Sequence, residues 1–338
     1  MNKQPIIWKA KAPNRILDIG GWTDTHFAKK GAVLNFAVDL FARVNVQITD
    51  SHEIIIRARD YGADLKVDLD DIQYNGEHDL LKAALKTMGI DHGLIVEIYA
   101  DVPPGCGTGT SAAVSVALLG VLFRVKGLVP LPEKIAQLAH RLETEELGYE
   151  SGIQDQFAAT LGGINLLDIY KYPFVSSSKV CLNEEILAEL ESRLLIVFEG
   201  SGHSSSEIHK DVIEQIKQAP ETKGKLKQLA ALPLLAVEAL HQGNLLAFAN
   251  CMNENNHLQK LLHPEISTQR IERIEKIALR HGAIACKING AGGGGSVTVL
   301  ADAGGYRNIA EALERAGFQT RLVNFNFGGL QTWQSYEK

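Results

Sequence analysis

The sequence predicts two mixed α+β domains. Three observations carry this: the chain length, the order of its apolar runs, and two separate glycine-rich turns. A chain of 338 residues ordinarily exceeds a single hydrophobic core. Strand patterns fill its first third, an apolar helix follows, and the second half runs through helices into a strand–loop–strand. That order is not the regular βαβ alternation of a doubly wound sheet. The segment 171–179 holds Pro173 and three serines and is the expected boundary, giving domains 1–175 and 176–338.

The elements follow in order. Residues 32–49 (AVLNFAVDLFARVNVQIT) alternate apolar and polar over much of their length, as a half-buried strand does. Residues 53–59 and 94–100 read as further strands, with a helix over 79–88 that ends at Gly89. After Pro103 the run GCGTGTS leads into AAVSVALLGVLFRV, which is apolar on nearly every side and predicts a buried helix. An amphipathic helix is expected over 133–147, a turn over 148–152, a short helix over 154–161 and a strand over 163–169. The strand 194–198 (LLIVF) runs into GSGHSSSE, and helices follow over 205–218, 225–242, 245–262 and 267–281. Strands 283–288 and 296–301 flank the loop NGAGGGG, and a helix over 306–316 and a strand over 320–326 complete the pattern.

Composition narrows the function. With 45% hydrophobic and 22% charged residues the chain is ordinary globular protein. Its net charge of −6 argues against a general nucleic-acid binder, which needs a basic surface to displace counterions. No run approaches the ~20 apolar residues that span a bilayer, and MNKQPIIWKAKAPNR has no apolar core of signal-peptide length. The four cysteines are scattered with no CxxC pair, as reduced thiols in a cytoplasm would be. The histidines form no HExxH motif, which speaks against structural zinc. The expected partner is a small molecule, with no nucleic acid and no membrane.

The strongest local signal is PPGCGTGTSAA, residues 103–113. Glycines at alternate positions let backbone N–H groups close on an anion and adopt positive φ. A helix starting at Thr110 or Ser111 adds free donors and the positive end of its dipole. The two hydroxyls suit phosphate oxygens or Mg²⁺, a hard cation that prefers oxygen. A plain turn capping a helix needs one glycine, not three followed by paired hydroxyls. The Walker form is absent, because no lysine follows, and the spacing is GxGxG rather than GxGxxG.

This stretch resembles the phosphate loop of the GHMP kinases, the superfamily of galactokinase, homoserine kinase, mevalonate kinase and phosphomevalonate kinase. Three more stretches match in order: KAPNRILDIGGWTDT (11–25), GYESGIQDQFAATLGGIN (148–165) and KINGAGGGGSVTVL (287–300). The resemblance implies a two-domain GHMP kinase fold, with the phosphate loop in the N-terminal domain and a ferredoxin-like C-terminal domain. It implies ATP and Mg²⁺ as cofactors, with Pro104, Gly105, Cys106, Gly107, Thr108, Gly109, Thr110 and Ser111 around the nucleotide. It makes Asp155 the catalytic carboxylate that takes the proton of the attacking hydroxyl, and Arg15 its partner. Asp24 would bond sugar hydroxyls, with Gly21 and Trp22 beside it, and Gly293 and Gly294 would shape the substrate site. Glu143 would hold Mg²⁺ with Ser111.

Galactokinases carry GEHTDY where this chain has GGWTDT, so Gly21 and Trp22 leave room for a sugar other than galactose. With the glycine–serine run at 200–206, this points to the heptose-phosphate kinase branch. The alternatives are a galactokinase-, arabinokinase- or fucokinase-like enzyme on a free sugar, and a non-catalytic sugar or nucleotide sensor. Cys106, within the phosphate loop, stands where a helix N-terminus lowers a thiol pKa. A reactive thiol there is a hypothesis, which protection from thiol modification by ATP would support.

Overall fold

The computed structural model describes residues 6–58, 63–103, 105–200, 213–214 and 220–336. Pro104, the serines at 204–206 and most of the helix expected over 205–218 lie outside the described residues.

The first sheet is built around one long strand. β1 (Ile6–Ile19) and β2 (Gly31–Thr49) run antiparallel along nearly their whole length. β2 then divides its other edge, pairing through residues 31–36 with β6 (Ile164–Lys171) and through 42–49 with β5 (Gly93–Ala100). β3 (Glu53–Ala58) joins β5 in parallel, and β4 (Ala63–Asp68) closes that side. β7 (Phe174–Lys179) makes a hairpin with β6. The Pro–Ser segment read as a boundary loop is thus an edge strand, whose serines alternate outward. It straddles residue 175 and stays with the first sheet. The pairing order is β12-β1-β2-β5-β3-β4, where β12 (Gln331–Tyr336) returns from the far end of the sequence.

Helix α1 (Asp79–Thr87), α2 (Thr110–Val125), α3 (Pro132–Arg141) and α4 (Gln154–Leu161) cover one face of this sheet. α2 buries residues on all sides, which explains why its sequence is apolar all round. Between α3 and α4, residues Leu142–Glu146 widen into one π-helical turn, with Leu147 N–H bonded to Leu142 O at 3.1 Å. Such turns recur at functional sites because they re-aim one side chain.

The second sheet is antiparallel, in the order β11-β8-β10-β9, from β8 (Leu194–Phe198), β9 (Ala283–Ile288), β10 (Ser296–Ala301) and β11 (Gln319–Leu322). Around it pack α5 (Glu184–Arg193), α6 (Pro220–His241), α7 (Leu245–Lys260), α8 (Gln269–Arg280) and α9 (Tyr306–Arg315). One continuous apolar core joins Ile16 and Phe36 of the first sheet to Phe248 of α7 and Val197 of β8. The two units share this core and meet along a cleft.

Candidate active site

Five chain segments converge on a cleft of about 380 Å³. They are the end of β1 with its following turn, the turn into α1 with Gly76, His78, Asp79 and Leu80, the glycine loop before α2, the stretch from the π turn into α4, and the loop between β9 and β10.

β1 delivers Arg15. Its guanidinium grips Asp155, in the first turn of α4, at two points: Nε to Oδ1 at 2.8 Å and Nη2 to Oδ2 at 3.1 Å. A third arm donates to the Gly107 carbonyl. Arg15 is buried while Asp155 keeps a quarter of its side chain exposed, so the pair presents the carboxylate to the cleft. Burial opposes the charge on Arg15, yet the carboxylates of Asp155, Asp18 and Asp24 hold its pKa above the ordinary value.

The glycine loop is seated on β1 and on the second glycine loop. Arg15 N–H donates to Thr108 O at 2.9 Å. Gly105, Gly107 and Gly109 all adopt positive φ, as their alternate spacing requires. A Cβ on Gly107 would lie 2.5 Å from Asn289 O, and one on Gly295 2.8 Å from the Cys106 carbonyl carbon. The loops therefore interlock backbone to backbone. Gly105, Gly107, Gly109, Thr110 and Ser111 line the cleft at the N-terminus of α2.

Cys106 and Thr108 do not line it. The buried Thr108 hydroxyl is held by Asn14 Nδ2 at 3.0 Å, and the same amide reaches Thr110 Oγ1 at 2.9 Å. Cys106 accepts a 2.7 Å bond from Ser296 Oγ at its carbonyl. Burial pushes the Cys106 thiol above its ordinary pKa, the direction opposite to an activated thiol.

Asp24 sits in the turn after β1, buried, with Gln154 N–H donating to Oδ2 at 3.0 Å. Burial pushes its pKa up to about 6; that bond from Gln154 pulls down, and nearby Asp155 and Asp18 push further up. Trp22 and Gly294 line the cleft, and Trp22 holds φ at 74°, an uncommon and costly conformation for so bulky a residue. Gly21 and Gly293 lie behind the wall. A Cβ on Gly21 would meet Asp18 Oδ2 at 2.6 Å, and Gly293 N–H is spent on Ile266 O at 2.9 Å.

Glu143 rises from the π turn into the same cleft as Ser111. Ser151 Oγ donates to its Oε2 at 2.5 Å, and no lysine or arginine pairs with it among the described residues. Burial pushes its pKa up to about 7 against the hydrogen bonds from Ser151 and Gln156, with Asp155 adding to the rise. A buried, cation-free carboxylate beside a hydroxyl is an all-oxygen donor set that fits Mg²⁺, which keeps most of its shell for water and phosphate. Among the described residues no group of three or more His, Cys, Asp or Glu gathers around a common point.

Several residues were not singled out from the sequence. Asp18 lines the cleft and is locked by fully buried Lys287 at 3.1 Å and by Gly290 N–H at 3.2 Å. Burial lowers the Lys287 pKa, and Asp18 opposes that. Gln259 of α7 bridges Lys287 Nζ at 2.7 Å and Gly290 O at 2.7 Å. Asn289 caps the arrangement, its Oδ1 accepting from Leu17 N–H at 3.1 Å and Thr298 Oγ1 at 2.9 Å. Asp18 and Lys287 stand inside the quoted motifs, so their charge in otherwise apolar strand patterns was the available signal.

A model of the GHMP kinases N terminal domain matches residues 78–163, and one of the GHMP kinases C terminal region matches 236–319. D-glycero-alpha-D-manno-heptose 7-phosphate kinase of Campylobacter jejuni is 27% identical over 96% of this chain and 98% of its own. The bifunctional fucokinase/GDP-fucose pyrophosphorylase of Arabidopsis thaliana is 28% identical over 95% of this chain and 33% of its own. In fold, the chain is similar to a D-glycero-D-manno-heptose 1-phosphate kinase from Bacteriodes thetaiotaomicron, with TM-score 0.79 and 23% identity over 98% of this chain and 100% of that one.

Proposed function

Because the chain belongs to the GHMP kinases, we propose that it transfers the γ-phosphoryl group of ATP to a hydroxyl of a sugar phosphate, best a heptose 7-phosphate at position 1. The observation that carries the kinase reading is the two-point pair of Arg15 with Asp155 at the foot of the glycine loop, where a Cβ on Gly109 would come within 3.1 Å of Asp155 Oδ2. The free N–H groups and dipole of α2 hold the nucleotide phosphates. Asp155 accepts the proton of the attacking hydroxyl, oriented by Arg15, whose charge also neutralises the transferring group. Asp24 accepts hydrogen bonds from sugar hydroxyls and sets the acceptor beside Asp155. Ser111 and Glu143 would hold Mg²⁺, which supplies charge neutralisation on the phosphates when bound. Free cysteines and the absence of a membrane-crossing helix among the described residues support work in the cytoplasm.

A free sugar is the second reading, favoured by charge. Asp18, Asp24 and Glu150 line the cleft, and Arg15 is the one arginine or lysine among the described residues that do so. A phosphate on the acceptor would meet repulsion there. Coupled ATP turnover with D-glycero-D-manno-heptose 7-phosphate, L-fucose, L-arabinose and D-galactose decides between them. Heptose phosphate should give the highest kcat/KM. A fucose or galactose rate above it selects the second reading, and ATP turnover that no sugar raises overturns both.

A further inference from the structure

Gln154 directly precedes Asp155, and three of its polar atoms are placed differently. The backbone N–H holds Asp24 at 3.0 Å. Side-chain Nε2 points to Asp18 Oδ2 at 3.5 Å. Oε1 is buried and has no partner among the described residues. The side chain is about nine-tenths buried and lines the cleft.

The orientation of this amide is dictated by charge. Asp18 is fixed from behind by Lys287 and Gly290, and its carboxylate accepts only donors. Turning the amide over would set oxygen against oxygen. The donor end is thereby committed to Asp18, and the acceptor end is left without a partner among the described residues in a side chain that lines the cleft. A small rotation about the broad terminal torsion of glutamine opens Oε1 to a ligand. A buried acceptor left unmade is costly, so a ligand hydroxyl that meets it gains what the free protein forgoes.

We propose that Gln154 is a specificity-determining residue, whose Oε1 accepts a hydrogen bond from an acceptor hydroxyl adjacent to the one that is phosphorylated, with Lys287 and Asp18 as the positioning pair behind it. This rests on the sugar-kinase reading above and deepens it. At this point the wall presents two acceptors, Asp24 on one side and Gln154 Oε1 on the other. Its ligand at this point is a donor-rich vicinal diol, not a carbonyl, ether or anion.

The test compares wild type with Gln154→Met, which keeps length and helix preference while removing both polar ends. The probes are the best-turned-over sugar of the panel above and its monodeoxy analogues. Wild type should discriminate against one deoxy analogue by at least tenfold to a hundredfold in kcat/KM. In Gln154→Met that discrimination should collapse to near unity, with sugar KM raised and ATP KM unchanged. Binding of a non-hydrolysable ATP analogue, followed by thermal shift, verifies the folded state, and Gln154→Ala serves if the methionine variant does not fold. Discrimination that persists in the variants overturns the role of Gln154 while leaving the kinase reading intact. Wild type that phosphorylates no sugar overturns both.

Discussion

The Asp24 carboxylate rests directly on the Cα of Gly152, where a Cβ would fall 2.2 Å from Oδ2. Asp18 and Asp155 are seated in the same way, against Gly21 at 2.6 Å and Gly109 at 3.1 Å. These three carboxylates of the cleft wall thus each abut a residue with no side chain. Gly152 has ordinary φ, so its constraint is purely steric. Gly152→Ala should displace Asp24, raise sugar KM by about tenfold or more and leave ATP KM alone, at a stability cost of about 1–3 kcal/mol. Steady-state kinetics in both substrates measure this, and an unchanged sugar KM would show that Asp24 does not touch the sugar.

Asp155→Asn keeps the shape of the site and removes the proton acceptor. A loss of about 10²–10⁴ in kcat is expected, with nucleotide affinity within a few-fold of wild type. Turnover retained at the wild-type rate would remove Asp155 from the reaction.

The pH dependence follows from Asp24. Its pKa is raised by burial to about 6, so the ionised, hydroxyl-accepting form is lost below that pH. Sugar kcat/KM should fall about tenfold per pH unit below about 6. The sign for stability is opposite. A carboxylate raised from 3.8 to about 6 penalises folding by about 3 kcal/mol, in full above pH 6 and relieved as pH falls from 6 toward 3.8. Asp24→Asn should therefore raise Tm at pH 7 by several degrees while removing Asp24's share of the acid limb. A lower Tm for that variant contradicts the assignment.

Lys287→Met strands Asp18 in the core without its ion partner. Removing one member of a buried pair costs about 3–5 kcal/mol, a fall in Tm of roughly 4–7 °C for a chain of 338 residues. The double variant Asp18→Asn/Lys287→Met should recover part of that loss. Equal Tm values for single and double variants would mean that the two side chains are not coupled.

How much of this was legible depends on what each residue answers to. The three alternate glycines of the phosphate loop were legible because their spacing reflects a local backbone demand, and all three take positive φ. Arg15 and Asp155 lie 140 positions apart and were joined only through motif resemblance, since nothing in either neighbourhood names the other. The polar face of α7 was illegible. Asn253, Asn255, Asn256 and Gln259 resemble a solvated stripe, yet their amides bind the backbone of β9, Gly20 and Gly290. Amides that satisfy strand and loop edges, three of these four buried, have the same spelling as solvated ones. The hairpin of β6 and β7 was missed for a related reason: serines on an edge strand look like a linker.

The pairing of Ile6 with Tyr336 sets the timetable of assembly. During synthesis at about 5–20 residues per second, roughly half a minute separates the emergence of β1 from that of β12. Throughout that interval the strand carrying Arg15 has one bare edge, open to the nascent chains of neighbouring ribosomes. The strand that carries the cradle's arginine, built early in sequence, gains its second neighbour only when β12 has emerged. Chaperone demand in the cell should fall on this open edge, and C-terminal nonsense alleles that leave all of the cleft residues intact should be lost as aggregates.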